Sequence, residues 1–179
     1  SEACPLGLAP TSSTTATLAM GDALAVALLE ARGFTAEQFA FSHPGGALGR
    51  KLLLKVGDVM TQGDAIPTVT AQCTIRKALF EITQKGLGMS TVIDDNMVLL
   101  GVFTDGDLRR TLDQDINIHD TSVESVMSSD VCSCTPDMLG AEAMGIMEEK
   151  NITALPVLNE HSKVVGVIHL HHLIKAGLA

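Results

Sequence analysis

The sequence predicts an α/β protein built largely from two copies of one unit, each with the element order β-α-β-β-α. The segment Gly101-Val102-Phe103-Thr104-Asp105-Gly106-Asp107-Leu108 returns 65 residues later as Gly166-Val167-Ile168-His169-Leu170-His171-His172-Leu173. Helix residues keep the same spacing, with Ala143, Met144, Met147, Lys150 and Ile152 matching Ala78, Leu79, Ile82, Lys85 and Leu87. Two copies with so long a period indicate a paired domain rather than a solenoid.

Composition and charge narrow the classes of function. The 179 residues are 46% hydrophobic but only 3% aromatic, so the core is expected to be aliphatic and rich in Met. The net charge is −9, and an acidic chain without a basic run or stacking residues argues against nucleic-acid binding. We find no uninterrupted apolar stretch of about 18 residues, so no membrane span is expected. Four cysteines without CxxC spacing favour a reduced, cytoplasmic setting.

The part before the repeats predicts loops and helices. A hydroxyl run at 11–14 can cap a helix over 15–32, whose dense apolar residues indicate a buried helix. Gly33 ends it as a left-handed cap, and a short helix over 35–39 follows in capping-box spacing. A Gly-rich turn then opens a helix over 51–54. Because the chain starts with neither an initiator Met nor a signal peptide, we expect it to begin inside a domain.

Each repeat predicts the same series of elements. In the first copy a lead turn at 57–60 precedes a helix capped by Thr74, and the polar turn at 94–96 joins two strands. In the second copy the lead turn is 124–127, and the sequence Thr135-Pro136-Asp137 predicts a helix start. Cys132 and Cys134 lie in a predicted strand with both thiols on one side, as two core residues would lie.

The ends of the two copies carry the candidate chemistry. Thr104 and Asp107 place a hydroxyl and a carboxylate beside a helix N-terminus, which suits a ribose diol and a neighbouring phosphate. Capping of that helix would also explain both residues. At the matching places, His169 and His172 offer imidazoles, which if cationic would favour a phosphate or a sugar-acid carboxylate. No spacing of a structural zinc site accompanies them, so we expect no metal.

The repeats resemble a tandem pair of cystathionine-β-synthase (CBS) domains. The resemblance covers residues 55–178, gives the domains 55–118 and 119–179, and rests on two runs of lead turn, strand, helix and strand pair. In the first copy the ending Gly-hydrophobic-x-Thr-x-x-Asp is intact. The resemblance implies a nucleotide bound between the copies, with Thr104 and Asp107 holding its ribose, and regulation of an attached domain. Because His169 and His172 replace the Thr and Asp of the second copy, one nucleotide-type site or an altered second site is expected.

Residues 1–54 resemble the C-terminal segment of the sugar isomerase (SIS) domain of bacterial arabinose-5-phosphate isomerases, in which a SIS domain precedes a CBS pair. The motifs are Glu2-Ala3-Cys4-Pro5, Leu8-Ala9-Pro10-Thr11-Ser12-Ser13-Thr14-Thr15, Met20-Gly21-Asp22-Ala23-Leu24-Ala25 and Ser42-His43-Pro44-Gly45-Gly46-Ala47-Leu48-Gly49. This family interconverts D-ribulose 5-phosphate and D-arabinose 5-phosphate, towards the Kdo sugar of lipopolysaccharide or capsule, and the resemblance implies no cofactor.

The same resemblance implies the catalytic residues. Moving a proton between C1 and C2 needs a base and an acid, and Glu2 and His43 match catalytic positions of the family. The family's phosphate loops lie upstream of the part that this chain matches. The chain alone is therefore expected to be inactive.

Two functions stay open at this stage. One is a sugar-phosphate isomerase whose CBS pair senses a nucleotide or a nucleotide-sugar such as CMP-Kdo. The alternative is a non-enzymatic module that senses adenine nucleotides, with the leading segment aiding assembly. In either case we expect self-association to a dimer or tetramer through an isologous interface.

Overall fold

The computed structural model describes residues 1–35, 38–39, 46–114 and 116–178. The chain divides into two compact units, Ser1–Pro44 and Gly45–Ala179. The second unit holds α/β repeats, which confirms the predicted fold class. It begins before the predicted boundary at residue 55, because the helix α2 (Ala47–Leu53) packs against a helix of the second repeat. The domain limits 55–118 and 119–179 stay predictions.

The first unit contains one long helix, α1 (Ser12–Ala31). Its predicted position is confirmed, and Gly33 follows with a φ of 60°. The predicted burial is wrong for this chain, since none of its residues is buried and Leu18 is 69% exposed. The described residues of this unit offer no core against which the apolar side chains could pack. A Thr35–Gln38 capping box is present, with hydrogen bonds of 3.0 and 3.3 Å.

Helix α1 also corrects the expectation about membrane spans. By length and composition alone it is apolar enough to cross a membrane, and it is the one such helix among the described residues. The sequence argument missed it because Gly, Ser, Thr and a few charges interrupt its apolar residues. A core helix of a soluble domain passes the same test, so this finding is weak support for a span.

The first repeat forms a three-stranded sheet with two helices. After the one-turn helix α3 (Val56–Val59) and a 3₁₀ turn at Gly63–Ala65, the elements alternate as predicted. The order in the sheet is β1-β2-β3, with β1 parallel to β2 and β2 antiparallel to β3. The bounds are β1 (Thr68–Thr70), α4 (Ile75–Lys85), β2 (Met89–Ile93), β3 (Leu99–Thr104) and α5 (Asp105–Leu112).

The second repeat follows the same plan with one strand reduced. Its elements are α6 (Gly140–Lys150), β4 (Ala154–Leu158), β5 (Val164–His169) and α7 (Leu170–Lys175), and β4 and β5 are antiparallel. The predicted strand around Cys132 shrinks to a single parallel bridge between Cys134 and Val157. Cys134 is buried, whereas Cys132 is only partly so.

Helix α6 starts five residues after the predicted start at Thr135. Leu139 is its N-cap, as Thr74 is for α4, so the repeat spacing located the helix better than the Thr-Pro-Asp motif did. The reason is that backbone hydrogen bonds hold the intervening residues in another pairing. Gly57 N–H donates to Pro136 O and Val56 N–H donates to Met138 O, both at 2.9 Å.

The two repeats exchange the segments that contain their lead turns, residues 55–61 for the first repeat and 122–130 for the second, which we call the lead segments. Thr61 of the first lead segment pairs with Val167 on β5, and Ser128 of the second pairs with Val102 on β3. The side chains are exchanged as well. Val56, from the first lead segment, lies in the core of the second repeat, and Val123, from the second lead segment, lies in the core of the first. A third cluster, including Val102 and Val167, joins the sheets. Neither core is complete without the other repeat.

Candidate functional site

A cleft of about 550 Å³ lies between the repeats of the second unit. The first repeat lines it with the end of β3 and the start of α5, and the second with the end of α6 and the start of β4. The chain between the repeats closes it. The side chains that bear charge or hydroxyl groups are those of Thr104, Asp105, Asp107, Arg110, Ser128, Asp130, Lys150 and Thr153. Its size is that of a typical small-molecule site.

Thr104 and Asp107 form a capping box at the start of α5. Extended backbone at Thr104 ends β3 and points its hydroxyl at the new helix, where it accepts from Asp107 N–H at 3.4 Å. In return, Asp107 Oδ2 accepts from Thr104 N–H at 2.8 Å and from the Thr104 hydroxyl at 2.6 Å. The structure therefore brings the two predicted site residues together.

The other carboxylate oxygen of Asp107 accepts hydrogen bonds from residues outside the capping box. Oδ1 accepts from Ser128 Oγ at 2.7 Å and from the guanidinium of Arg110. Asp107 is only 2% exposed. Burial raises the pKa of its carboxyl, but the hydrogen bonds from Thr104, Ser128 and Arg110 outweigh burial and lower the pKa below its ordinary value. At neutral pH the site therefore holds a satisfied anion whose acceptors a ligand can use by displacing the mostly exposed Arg110 side chain.

Lys150 supplies a second positive group to the cleft. It ends α6 as Lys85 ends α4. Its ammonium lies 3.0 Å from Glu149, and that contact, with smaller contributions from Cys132 and Asp130, raises its pKa. A cation and a satisfied carboxylate in one cleft can bind a molecule that carries both an acidic group and hydroxyls.

Of the polar lining residues, sequence reasoning assigned only Thr104 and Asp107 to a site, and among those that it missed are Ser128, Asp130 and Lys150. The repeat spacing did identify Lys150, but only as a helix residue, since nothing local indicates that it borders the end of β3. Ser128 and Asp130 belong to the exchanged lead segment, and only the fold reveals that they meet the first repeat. Arg110 lies on the first helix turns of α5, and its side chain is largely exposed, so no sequence pattern marks it as a lining residue.

His169 and His172 occupy the equivalent places in the second repeat. His169 Nδ1 accepts from His171 N–H at 3.0 Å, which caps α7 as Thr104 caps α5. The ring centroids of His169 and His172 are 6.1 Å apart. Burial, with help from neighbouring histidines and Lys175, lowers the pKa of both imidazoles. The lowered pKa favours the neutral form of both imidazoles, so an anionic ligand would have to raise their pKa in order to bind to a cationic pair.

Of the two predicted catalytic residues, Glu2 is described and His43 lies outside the described residues. Glu2 Oε2 accepts from Thr11 N–H at 2.7 Å, from the Thr11 hydroxyl at 2.9 Å and from Ser13 N–H at 3.3 Å. Hydrogen bonds from Ser13 and Thr11 lower the pKa of Glu2 to about 2. Glu2 thus caps α1 as a fully ionised group.

In the parts of the chain that the structure describes, no three His, Cys, Asp or Glu side chains stand close enough to hold a metal ion. The histidines of the second repeat form a pair with a backbone partner rather than a ligand set. The absence of a metal stays a prediction.

Comparisons with known proteins agree on the repeats and on the leading segment. The CBS domain model matches residues 56–114 and 123–179. The chain is 55% identical over 177 residues, 99% of its length, to the arabinose 5-phosphate isomerase KdsD of Escherichia coli K12, and equally so to KdsD of Pseudomonas aeruginosa. It spans about half, 54%, of the length of these curated relatives. The resemblance of the chain to arabinose-5-phosphate isomerases is thereby confirmed.

Solved structures agree on the fold. The CBS domain pair of MJ0100, in complex with 5′-methylthioadenosine and S-adenosyl-L-methionine, has a TM-score of 0.60 at 20% identity and covers 68% of this chain and 93% of that one. CBSX2 in complex with AMP has a TM-score of 0.61 at 24% identity, covering 70% and 96%. At these identities the likeness bears on the fold alone.

Proposed function

Because the chain belongs to the CBS domain family, we propose that its two repeats are the regulatory pair of an arabinose-5-phosphate isomerase. The observation that carries this is the 55% identity to KdsD over 99% of the chain, leading segment included. The reaction would interconvert D-ribulose 5-phosphate and D-arabinose 5-phosphate, and we propose that the product serves Kdo synthesis. The four free cysteines support a reduced, cytoplasmic location.

For catalysis we propose that His43 moves the proton and that Glu2 acts as a fixed anion. A proton-transfer group works best when its pKa lies near the working pH, which suits an imidazole. A carboxylate with a pKa of about 2 is a weak base. It can instead orient a substrate hydroxyl or an imidazolium through its remaining lone pairs.

The test of the isomerase uses the full-length protein, with the region that relatives carry upstream. We expect turnover of arabinose 5-phosphate to be lost in His43→Ala, while the melting temperature stays unchanged. The matched control is His161→Ala, at an exposed turn of the second repeat. Turnover near that of the control in His43→Ala would refute the role of His43, and no turnover in the unmodified protein would refute the isomerase. The 179-residue chain by itself is expected to show none.

For the cleft we propose a nucleotide or nucleotide-sugar ligand, with its ribose on Thr104 and Asp107 and its acidic group near Lys150. The support is the pairing of a buried, ionised Asp107 with a cation in one cleft. CMP-Kdo combines a ribose, a phosphate and a sugar acid, and as a product of the pathway it would report on flux.

The alternative function, a non-enzymatic sensor of adenine nucleotides, draws support from the AMP and S-adenosyl-L-methionine named for the structural neighbours. Calorimetry of this chain with CMP-Kdo, AMP and ATP separates the two. Tightest binding of CMP-Kdo favours the pathway sensor, whereas tightest binding of AMP or ATP favours the alternative. We expect the former.

A further inference from the structure

The backbone before β1 is held to β2 by a threonine that the second repeat replaces with a proline. In the first repeat, Thr91 of β2 donates twice to Pro67 O, from its N–H and from its hydroxyl, both at 2.8 Å. The spacing of 65 residues sets Pro156 of β4 at the place of Thr91 and Cys132 at the place of Pro67. Proline has neither a backbone N–H nor a hydroxyl. Cys132 O therefore lacks both of the donors that its counterpart has.

The backbone pairing of the second repeat shows the effect of this replacement. Strand β1 pairs with β2 over three residues, whereas the corresponding segment pairs with β4 only through Cys134 and Val157. The hydrogen bonds that remain run from Cys134 N–H to Pro156 O at 3.0 Å and from Leu158 N–H to Cys134 O at 2.8 Å. In the part of the chain that the structure describes, no backbone N–H donates to Cys132 O. A backbone carbonyl in this position needs a donor from elsewhere.

This carbonyl belongs to the wall of the cleft. Cys132 and Pro156 both line the cleft, and the shared strand arrangement of the repeats sets Cys132 O beside Pro156. Three neighbouring lining residues, Val131, Ile152 and Ala154, have apolar side chains that cannot donate to the carbonyl. An apolar wall with one unpaired acceptor suits the flat ring of a nucleobase that brings its own donor.

We propose that Cys132 O, left without a partner by Pro156, selects a nucleobase with an exocyclic amine over one with an oxo group at the same position. The proposal rests on the proposed function of the cleft, in which Thr104 and Asp107 hold the ribose of a nucleotide. An exocyclic amine projects beyond the ring edge and donates to the carbonyl. In an oxo base an oxygen takes the place of the amine and faces Cys132 O, and Pro156 has no donor for that oxygen. A site discriminates strongly against an analogue that leaves its polar group unpaired.

Two matched pairs of nucleotides test this selection on the unmodified chain. CMP and UMP differ in the amine or oxo group of the pyrimidine, and AMP and IMP differ in the same way at the purine. We expect CMP to bind about tenfold or more tightly than UMP, and AMP to exceed IMP by a similar factor. Calorimetry of all four nucleotides at one pH and one salt concentration measures the two ratios.

A substitution at Pro156 tests the assignment to Cys132 O. Pro156→Thr supplies the N–H and the hydroxyl that Thr91 supplies in the first repeat, so the carbonyl is paired before a ligand arrives. We expect the affinity for CMP to fall to that for UMP, while the affinity for UMP stays unchanged. The matched control is Thr91→Val, which removes one donor at the equivalent place outside the cleft lining and should keep the preference for CMP. Circular dichroism checks the folding of both variants.

The outcomes separate this inference from the proposed ligand class. Equal binding within each pair, or tighter binding of UMP and IMP, would overturn the inference and leave a nucleotide site in place. A preference for CMP that persists in folded Pro156→Thr would also overturn it, because the selection would then come from another group. If none of the four nucleotides binds, the proposed ligand class fails and the inference fails with it. The comparison on the unmodified chain holds whether or not Pro156→Thr folds.

Discussion

At the scale of single residues, the proposed contact between the cleft and a ribose depends on Asp107. Its four hydrogen-bond donors come from Thr104, Arg110 and Ser128, so it is held in place before a ligand arrives. A ribose diol that replaces Arg110 would donate to an oriented, ionised acceptor. Hydrogen bonds to charged groups contribute about 1.5–3 kcal/mol each, which is enough to set affinity.

The prediction is that Asp107→Asn weakens the binding of a ribonucleotide by about tenfold or more. The same variant should bind the 2′,3′-dideoxy analogue as the unmodified chain does, because that analogue lacks the diol. Calorimetry on both proteins with both ligands measures the coupling between side chain and diol. Asp105→Asn, at an exposed site of the same cleft, is the control. Equal losses for both ligands would mean that Asp107 acts only through the fold.

From the lowered pKa of His169 and His172 we predict that the free energy of unfolding decreases in acid. Both have a pKa lowered by burial, so the unfolded chain binds their protons more readily than the folded one. Stability is then fully present above the unfolded pKa of about 6.5 and is lost as pH falls from there through the folded pKa. The double variant His169→Asn/His172→Gln, in which Asn keeps a capping acceptor, should lose less stability between pH 7.5 and pH 5. Urea unfolding at both pH values measures this.

The same pair bears on the ligand of the second repeat. If an acidic ligand binds there, it must raise the pKa of the imidazoles, so binding should take up protons and be tighter at pH 6 than at pH 8. Calorimetry in buffers of different ionisation enthalpy counts these protons. No uptake, together with unchanged affinity in the double variant, would place the ligand elsewhere.

At the scale of elements, the sequence correctly predicted those helices, strands and turns that depend on local patterns of residues. The spacing of 65 residues located both helices and both strand pairs, and it extends to turns. Asp94 and Asn159 each accept two backbone hydrogen bonds, and Met97 and Ser162 share a positive φ. The capping box of Thr104 and Asp107 followed from the same local chemistry.

What the sequence could not predict depends on contacts between distant segments. The hydrogen bond from Ser128 to Asp107 and the delayed start of α6 both result from the exchanged lead segments. No local pattern signals that exchange, since either repeat could in principle keep its own lead turn. The prediction that α1 is buried was wrong for a related reason. A high density of apolar residues indicates that a helix packs against a partner, but it does not identify that partner.

The exchange predicts that one repeat alone does not fold. A piece covering 55–118 would lack Val123 from its core and expose Val56, which belongs to the other core. Truncating a buried aliphatic residue typically destabilises by several kcal/mol, and here a whole packed segment is missing. We expect this piece to give an unfolded circular dichroism spectrum, and a piece covering 46–179 to fold. A cooperative melt for 55–118 would contradict the exchange.

Two glycines lie where an exchanged lead segment passes very close to a strand, and their substitution is expected to destabilise the fold. A Cβ on Gly101 would lie 2.8 Å from Ser128 O, and one on Gly166 would lie 2.9 Å from Thr61 O. Backbone oxygens cannot rotate away, so Gly101→Ala or Gly166→Ala should each destabilise by about 1–3 kcal/mol. Gly21→Ala, with open space around it, should not. Thermal melts of the three variants compare these effects.

At the scale of the whole molecule, the two units differ in how much of their apolar surface is covered. The repeats bury three connected clusters, whereas α1 exposes Leu18, Met20 and Leu24 by more than half. Exposed apolar surface of this kind is a liability for aggregation unless something covers it.

The last prediction separates the units by removing residues 1–45. The remaining 46–179 keeps both exchanged segments and also α2, whose end is tied to α6 by Gly140 N–H donating to Leu54 O at 2.8 Å. We therefore expect an unchanged melting temperature for the repeats and an unchanged affinity for the cleft ligand, because every lining residue is retained. Solubility should rise, since the exposed apolar helix is gone.

Removing residues 1–54 instead also deletes α2 and the Leu54 acceptor. Because both contact the second repeat, this truncation should destabilise that repeat and lower the melting temperature by several degrees. Static light scattering and thermal melts of the two truncations make the comparison, and an equal melting temperature for both would show that α2 is not part of the repeat unit.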